Sequence, residues 1–215
     1  RGLGDVYKRQ DLIVIDKPAD TPIHPSQGNY DNTLANGVAY YFAQQNIPYV
    51  YRCINRLDRD TTGLLILAKH GISGAALSAQ MMERRIHRTY HALAEGHTPS
   101  EGTIDAPIAR KEGSTIERCV DFTHGETAIT HYHTLSHESS KNGLLYSRVE
   151  LHLETGRTHQ IRVHMHSIGH PLLGDTLYRP ENPFGLEHQA LHSYSLEFLH
   201  PVTGKKLYFS KQEPW

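Results

Sequence analysis

Two arginines and two aspartates stand within five residues of one another, directly before an apolar run. They are Arg56, Asp58, Arg59 and Asp60, and the run GLLILAK that follows is typical of a buried strand. A carboxylate where a strand enters the core is held by rigid backbone yet faces the loop, which suits catalysis. Aspartates before a strand are also common turn residues that bond nearby backbone amides. From the residue types alone, both interpretations of Asp58 stay open.

A second charged stretch, Glu154–Asp175, contains two arginines near the start of a predicted helix. Arg157 and Arg162 bracket this start, where backbone amides favour an anion. A guanidinium there offers a planar fork for a carboxylate or a phosphate. Solvated arginines at an ordinary helix start would give the same pattern, so an anion site and a plain surface are both compatible with it.

Four histidines in the same stretch suggest a metal site, and they are His159, His164, His166 and His170. The last two are four residues apart and could share a helix face. Neither an HExxH pattern nor a cysteine partner accompanies them. Asp58 and Asp60 could bind Mg²⁺ only with further carboxylates, and no such cluster is present. We therefore predict no metal, and keep a histidine-ligated metal hydrolase as an alternative to be tested.

A third stretch, RRIHRTYHALAEG, places basic residues beside an aromatic ring. Arg84, Arg85 and Arg88 form a local basic patch, and Tyr90 points inward with Ala92 if the stretch is a strand. Cations for phosphates and a ring for stacking are what an everted nucleotide needs. A tyrosine that belongs to the hydrophobic core would look the same.

The composition is that of an ordinary globular protein, with 215 residues, 38% apolar and 21% charged. The formal net charge is −1, so any binding to nucleic acid must come from a local basic patch. No apolar run approaches the roughly 20 residues that a membrane helix needs. Two cysteines, Cys53 and Cys119, do not make a disulfide framework. These observations predict a cytoplasmic protein that does not enter a membrane.

The hydrophobic periodicity predicts more strands than helices, with several strands following one another directly. This order favours an α+β fold with a mixed, mostly antiparallel sheet and flanking helices. Helical spacing appears in Asn32–Asn46, with Asn32 as a possible cap, and again in Gly71–Arg85. We predict one domain over residues 11–215 and interpret residues 1–10 as a leader that is not part of the fold.

Taken together, these segments resemble the RluA-type pseudouridine synthases. INRLDRDTTGLLILAK is similar to the family signature HRLDxxTSGLLxxAK, and HRTYHALAEG is similar to KxYxAxxxG. TGRTHQIRVHMHSIGHPLLGD follows TGRxHQIRVHLxxxGHPxxGD almost throughout. The resemblance runs from about Asp11 to the last residue, and several motifs occur in the family's order. Asn55 departs from the pattern, because the family usually has histidine there.

The resemblance implies an enzyme that isomerises uridine to pseudouridine in a loop or stem-loop of transfer or ribosomal RNA. Asp58 matches the catalytic aspartate of the family, and Arg56 matches the arginine that enters the stack where the target base leaves. Tyr90 matches the tyrosine that stacks on the uracil, and Arg162 matches the arginine that pairs with the aspartate.

The resemblance also implies the pseudouridine synthase fold with a central active-site cleft, and a reaction that needs no cofactor. The sequence contains no S4-like RNA-binding module, and we expect a monomer. A non-catalytic RNA-binding module that keeps the same fold is the alternative function.

Overall fold

The computed structural model of the protein describes residues 4–8, 10–26 and 28–215. The chain divides into two compact units. The first unit comprises Arg1–Arg88 and Ser193–Pro214, and the second comprises Thr89–His192 and Trp215. The elements of the described residues are β1 (Gly4–Lys8), β2 (Leu12–Lys17), α1 (Leu34–Ala43), β3 (Thr62–Ala68), α2 (Gly71–Met82), β4 (His87–Glu95), β5 (Glu101–Asp105), β6 (Ile108–Arg110), β7 (Arg118–Val120), β8 (Ile129–Ser139), β9 (Leu145–Leu153), α3 (Gln160–Ser167), β10 (Leu191–Leu199) and β11 (Lys206–Ser210).

The first unit contains a sheet whose central strands are almost completely buried. Its strand order is β1-β2-β3-β10, and β11 also pairs with β10. The pairs β1–β2, β2–β3 and β10–β11 are antiparallel. Because β2 and β3 have core on both faces, they appear as continuous apolar runs. One core cluster joins residues of β2, β3, β10 and α2 with Ile86, which lies between α2 and β4. Its members are Leu12, Val14, Leu64, Ile66, Ala68, Leu77, Ile86, Leu196 and Phe198.

Gly63 is required by the close approach of two strands in the first unit. It has φ +103°, and a Cβ atom on it would lie 2.4 Å from the carbonyl oxygen of Ser193. Only glycine allows this backbone shape without strain and this distance without a clash. Gly63 also pairs with Lys17, the last residue of β2. It therefore lies where β2 ends and β3 begins.

The second unit contains a sheet with the strand order β4-β9-β8-β5, in which all neighbours are antiparallel. Strands β6 and β7 form a separate two-stranded hairpin. Helix α3 contacts β7 and β8. A small core cluster of Ile108, Ala128 and Val163 joins the hairpin to α3, and Val120 and Tyr178 pack against it.

The structure confirms the α+β class and the mostly antiparallel sheet, and corrects several local predictions. Thr33, not Asn32, caps α1, because its side chain accepts the amide proton of Asn36. Helix α2 ends at Met82, before the Arg85 at which the helical spacing ends, and the Met82 side chain is 82% exposed. No helix in the described part of the chain combines the length and the apolar character needed to cross a membrane.

The leader predicted for residues 1–10 falls partly outside the described residues, which exclude Arg1–Leu3 and Arg9. Gly4–Lys8 form β1, which pairs with β2. The prediction of one catalytic domain over residues 11–215 stays a prediction.

Candidate active site

The loop that carries Asp58 is anchored to strand β3 by a buried asparagine. Asn55 is 2% exposed, and its amide nitrogen donates to the carbonyl oxygen of Leu64. Its amide oxygen accepts the backbone N–H of Ile66 at 2.8 Å. One side chain therefore satisfies two backbone groups of the strand, as a neighbouring peptide would. The loop leads into β3, and Asn55 fixes its first residues against that strand.

Lys17 holds the other side of the same loop. Its side chain is 0% exposed, and Nζ donates to the carbonyl oxygens of Pro18 (2.8 Å), Thr21 (3.1 Å) and Arg59 (2.7 Å). An ammonium group has three N–H donors, so each of these carbonyls can receive one. Arg59 directly follows Asp58, so Lys17 fixes the backbone beside the candidate catalytic carboxylate. Sequence reasoning did not assign Lys17 this role.

Burial is the main influence on the charge of Lys17. It lowers the pKa of this lysine from its ordinary value of 10.5 to about 8, while the negative charges of Asp60, Asp58 and Asp20 act in the opposite direction. A buried ammonium group is costly unless its donors are bonded, which explains the three carbonyl contacts. Lys17, at the end of β2, is therefore a buried cation that interacts electrostatically with Asp58.

This burial predicts an unusual dependence of stability on pH. Below pH 8 Lys17 is charged in both states, and the folded chain bears the full cost of burying that charge. Between pH 8 and 10.5 the folded chain has lost the proton while the unfolded chain keeps it, so this residue makes the protein more stable as pH rises. Relative to Lys17→Met, the wild-type free energy of unfolding should rise by about 3 kcal/mol across this window.

Urea unfolding at several pH values, compared between the two proteins, measures this difference. Lys206→Met is the control, because Lys206 belongs to the same unit but its side chain is 66% exposed and pairs with Glu197. We expect no comparable change for Lys206→Met. A constant difference between wild type and Lys17→Met from pH 7 to 10.5 would contradict the prediction.

The remaining charges of the loop have separate partners. Arg59 forms an ion pair with Asp20, and Asp60 accepts the backbone N–H of Asp20 at 3.1 Å. These contacts join the segment after β2 to the segment after Asp58. Arg56 is exposed and Asp58 is partly buried. Asp60 therefore bonds a backbone amide, as expected of an aspartate in a turn. Arg56 faces solvent.

Tyr90 lies on strand β4 of the second unit and is 4% exposed. It pairs with Leu151 on β9, and Leu151 pairs in turn with Tyr132 on β8. The predicted inward alternation with Ala92 is confirmed, because Ala92 is 0% exposed. The pairing with β9 fixes the backbone of Tyr90, and the side chain is buried.

Arg162 is held by a carboxylate that sequence reasoning missed. Its Nε donates to Oδ2 of Asp175 and its Nη2 to Oδ1, both at 2.7 Å. The side chains are 8% and 1% exposed. Two parallel N–H···O bonds fix the plane of the guanidinium as well as its position. The aspartate ends the GHPLLGD motif, so its place in that motif was the available signal.

A buried chain of hydrogen bonds fixes helix α3, which carries Arg162. Gln160 donates to Oγ1 of Thr130 at 3.0 Å, and that hydroxyl lies 2.9 Å from Nδ1 of His164. Nε2 of His164 lies 2.8 Å from the carbonyl oxygen of Ala106. Burial lowers the pKa of His164 below 6.5, so the ring is neutral at pH 7 and can accept at one nitrogen and donate at the other.

The histidines of this stretch have individual partners in the fold. His159 contacts the hydroxyl of Tyr178 and His170 contacts the carbonyl oxygen of Glu95, both at 2.8 Å through Nδ1. Arg157, the other arginine of the stretch, pairs with Glu126. Within residues 10–26 and 28–215, no group of three or more His, Cys, Asp or Glu side chains is placed to hold a metal ion.

The structure brings some of the predicted residues together. Arg56 and Asp58 share one loop of the first unit, two residues apart. Tyr90 and Arg162 lie on β4 and α3 of the second unit. The pairing of Arg162 with Asp58, and a cleft that would contain both, stay predictions.

Sequence comparison relates the chain to enzymes that modify RNA. A family model described as RNA pseudouridylate synthase matches residues 11–167. Ribosomal large subunit pseudouridine synthase D of Zymomonas mobilis is 40% identical over 225 residues, which covers 97% of this chain and 68% of that protein. The protein of the same name in Escherichia coli K12 is 39% identical over 213 residues, covering 93% of this chain and 63% of that protein. The chain thus spans about two thirds of the length of these relatives.

Structural comparison gives the same relationship. Human RNA Pseudouridylate Synthase Domain Containing 1 has a TM-score of 0.80 and 29% sequence identity, covering 99% of this chain and 84% of that one. Human RNA Pseudouridylate Synthase Domain Containing 4 has a TM-score of 0.74 and 23% identity, covering 98% and 88%, which supports the likeness of fold.

Proposed function

The chain belongs to the RNA pseudouridylate synthase family, a family of isomerases, and we propose that it converts uridine to pseudouridine in structured RNA, with Asp58 as the catalytic residue. The observation that carries the proposal is the match to this family over most of the chain, in which the Asp58 loop keeps the family's signature. The loop's firm anchoring by Asn55 and Lys17 supports it, because a catalytic group needs a fixed position.

The reaction breaks the bond between nitrogen one of uracil and the sugar, turns the base, and joins its carbon five to the same sugar carbon. The proton on carbon five is released and nitrogen one gains a proton, so the isomerisation changes neither composition nor oxidation state. Hydrolytic glycosidases use two carboxylates, and water attacks the sugar carbon. In this reaction such an attack would release the uracil, so a second carboxylate to activate water is not needed. One ionised Asp58 either attacks the anomeric carbon or removes a ribose proton, and both routes remain open.

Three further residues receive roles in this proposal. Arg162 pairs with Asp58 and holds the Asp58 carboxylate in the charged form. The guanidinium can do so because Asp175 binds only the edge formed by Nε and Nη2. Arg56 enters the space that the everted base leaves, for which its exposure is suited. Tyr90 stacks on the uracil, an interaction worth about 1–3 kcal/mol per base, which helps to offset the cost of extrusion.

The substrate is a uridine in a loop or stem-loop of ribosomal or transfer RNA. Two of the relatives are named for the large ribosomal subunit, so the first RNA to test is an unmodified transcript of large-subunit ribosomal RNA. We also propose that the protein acts as a monomer in the cytoplasm. Binding should weaken steeply with salt, because contacts to phosphates release counterions.

Incubation of the purified wild-type chain with unmodified ribosomal and transfer RNA transcripts tests the proposal. Pseudouridine should form at one or a few sites, read as carbodiimide adducts that block reverse transcription. Turnover with chelator present and no metal in elemental analysis would exclude the metal hydrolase. RNA binding without any pseudouridine in either transcript would instead favour the non-catalytic binding module.

A further inference from the structure

A single turn in the second unit carries two side chains that contact Arg162. Asp175 and Tyr178 lie three residues apart, and the backbone N–H groups of Tyr178 and Arg179 both donate to the carbonyl oxygen of Asp175, at 3.2 and 2.7 Å. Gly174 allows the turn, because it has φ +76° and a Cβ atom there would lie 2.1 Å from the carbonyl oxygen of His188. The mutual positions of Asp175 and Tyr178 are therefore set by the backbone.

The ring of Tyr178 covers one face of the guanidinium whose edge Asp175 binds. Cζ of Arg162 lies 5.1 Å from the ring centroid, within the range of a cation–π contact. The ring also packs against the core cluster formed by Ile108, Ala128 and Val163. Tyr178 thus touches both helix α3 and the hairpin β6–β7.

The hydroxyl of Tyr178 makes the second connection to the hairpin. Its oxygen accepts the backbone N–H of Arg118, the first residue of β7, at 3.0 Å. It also lies 2.8 Å from Nδ1 of His159, the residue before α3. His159 has φ +58°, a strained conformation for a non-glycine residue, which neighbouring contacts must hold in place. One hydroxyl therefore links the hairpin, the start of α3 and the ring beneath Arg162.

The hairpin itself presents groups suited to a nucleic acid. Arg110 and Lys111 stand at one side of its turn and Arg118 at the other; Lys111 pairs with Glu117, and Ile116 within the turn is 61% exposed. Phe122, just after β7, is 77% exposed. Cations beside exposed apolar side chains can contact both the phosphates and the bases of RNA.

We propose that Tyr178 is a positioning residue that couples RNA contact at the β6–β7 hairpin to the orientation of Arg162. This inference rests on the proposed function. RNA bound to the hairpin stabilises the position of Arg118, whose backbone N–H donates to the Tyr178 hydroxyl. The Tyr178 ring then keeps the Arg162 guanidinium in the plane set by its two bonds to Asp175. Tyr178 does not touch the reacting atoms.

The variants Tyr178→Phe and Tyr178→Leu separate the two connections. Phenylalanine keeps the ring over Arg162 and loses the hydroxyl, whereas leucine loses both. The single-turnover rate constant at saturating ribosomal RNA transcript should fall about tenfold for Tyr178→Phe and about a hundredfold for Tyr178→Leu, because small misplacements of a catalytic constellation are costly. The dissociation constant for RNA should change less than about twofold for the Phe variant, since no RNA-facing group is removed.

Tyr146→Phe is the matched control, because Tyr146 lies in the same unit and donates its hydroxyl proton to Glu138 at 2.6 Å. It should turn over like wild type. Hydrogen exchange of the Arg118 amide in the free protein gives a measurement independent of catalysis, and it should speed up in both Tyr178 variants but not in Tyr146→Phe. Thermal unfolding checks that all three variants are folded at the assay temperature.

The outcomes are distinct. A Tyr178→Phe rate equal to wild type, or an Arg118 amide with unchanged exchange, would overturn the inference and leave the proposed function intact. An equal loss in Tyr146→Phe would also overturn it, because the effect would then be nonspecific. A wild-type chain that forms no pseudouridine would overturn both the function and the coupling.

Discussion

Asp58→Asn is expected to reduce pseudouridine formation by more than about a thousandfold, as loss of a central catalytic group does in other enzymes. Asparagine has the shape of aspartate but neither attacks a sugar carbon nor accepts a ribose proton at neutral pH. The loop should keep its form, because the hydrogen bonds of Asn55 and Lys17 and the backbone bond from Thr61 to the carbonyl oxygen of Asp58 all use atoms other than the Asp58 carboxylate. RNA binding and the free energy of unfolding should therefore stay close to wild type.

Asp60→Asn is the matched control for this experiment. Asp60 belongs to the same loop, and its Oδ1 accepts a backbone N–H that an asparagine oxygen can accept equally well. Its turnover should stay within about threefold of wild type, as is usual for partly exposed substitutions. Carbodiimide mapping of a defined transcript gives both rates. Wild-type turnover by Asp58→Asn, or equal losses in the two variants, would refute the assignment of Asp58.

The second large effect concerns the buried pair of Arg162 and Asp175. Asp175→Leu should lower the free energy of unfolding by about 3–5 kcal/mol, because it removes both charge-assisted hydrogen bonds of the Asp175 carboxylate from a buried guanidinium. Urea unfolding at pH 7 measures this loss. Both side chains are less than a tenth exposed, so solvent can replace little of the lost interaction.

The double variant Arg162→Met with Asp175→Leu separates stability from activity. Replacing both members of a buried ion pair by apolar residues is often neutral or stabilising, so the double variant should regain most of the lost stability. Pseudouridine formation should be abolished in the double variant even though it is folded, because no guanidinium remains to orient Asp58. A double variant that is stable and active would mean that Arg162 has only a structural role.

The strands and helices with strong hydrophobic patterns were predictable from the sequence. Runs such as LIVI and LLILA in β2 and β3 allow few alternatives, because only buried strands contain so many apolar residues without alternation. Short elements were not predictable. Strand β1 has a weak pattern of its own and exists through its pairing with β2, and β7 is three residues long and depends on β6.

For the candidate site, the sequence motifs single out Asp58, Tyr90 and Arg162, and the roles assigned to these residues stay predictions. The residues that position them were not apparent, because their contacts cross long stretches of chain: Nζ of Lys17 reaches the carbonyl oxygen of Arg59, and Arg162 meets Asp175. For Lys17 a signal did exist, since a lysine that ends a fully apolar strand must find acceptors inside the protein.

Asn55, the departure from the family's usual histidine, has a consequence for acidic conditions. An amide gains no proton between pH 5 and 8, whereas an imidazole at the same place would titrate in that range. The bonds to Leu64 and Ile66 therefore persist unchanged while the surroundings acidify. The attachment of the Asp58 loop to β3 through Asn55 should therefore not change in mild acid, and a loss of turnover on acidification would have to come from groups other than Asn55.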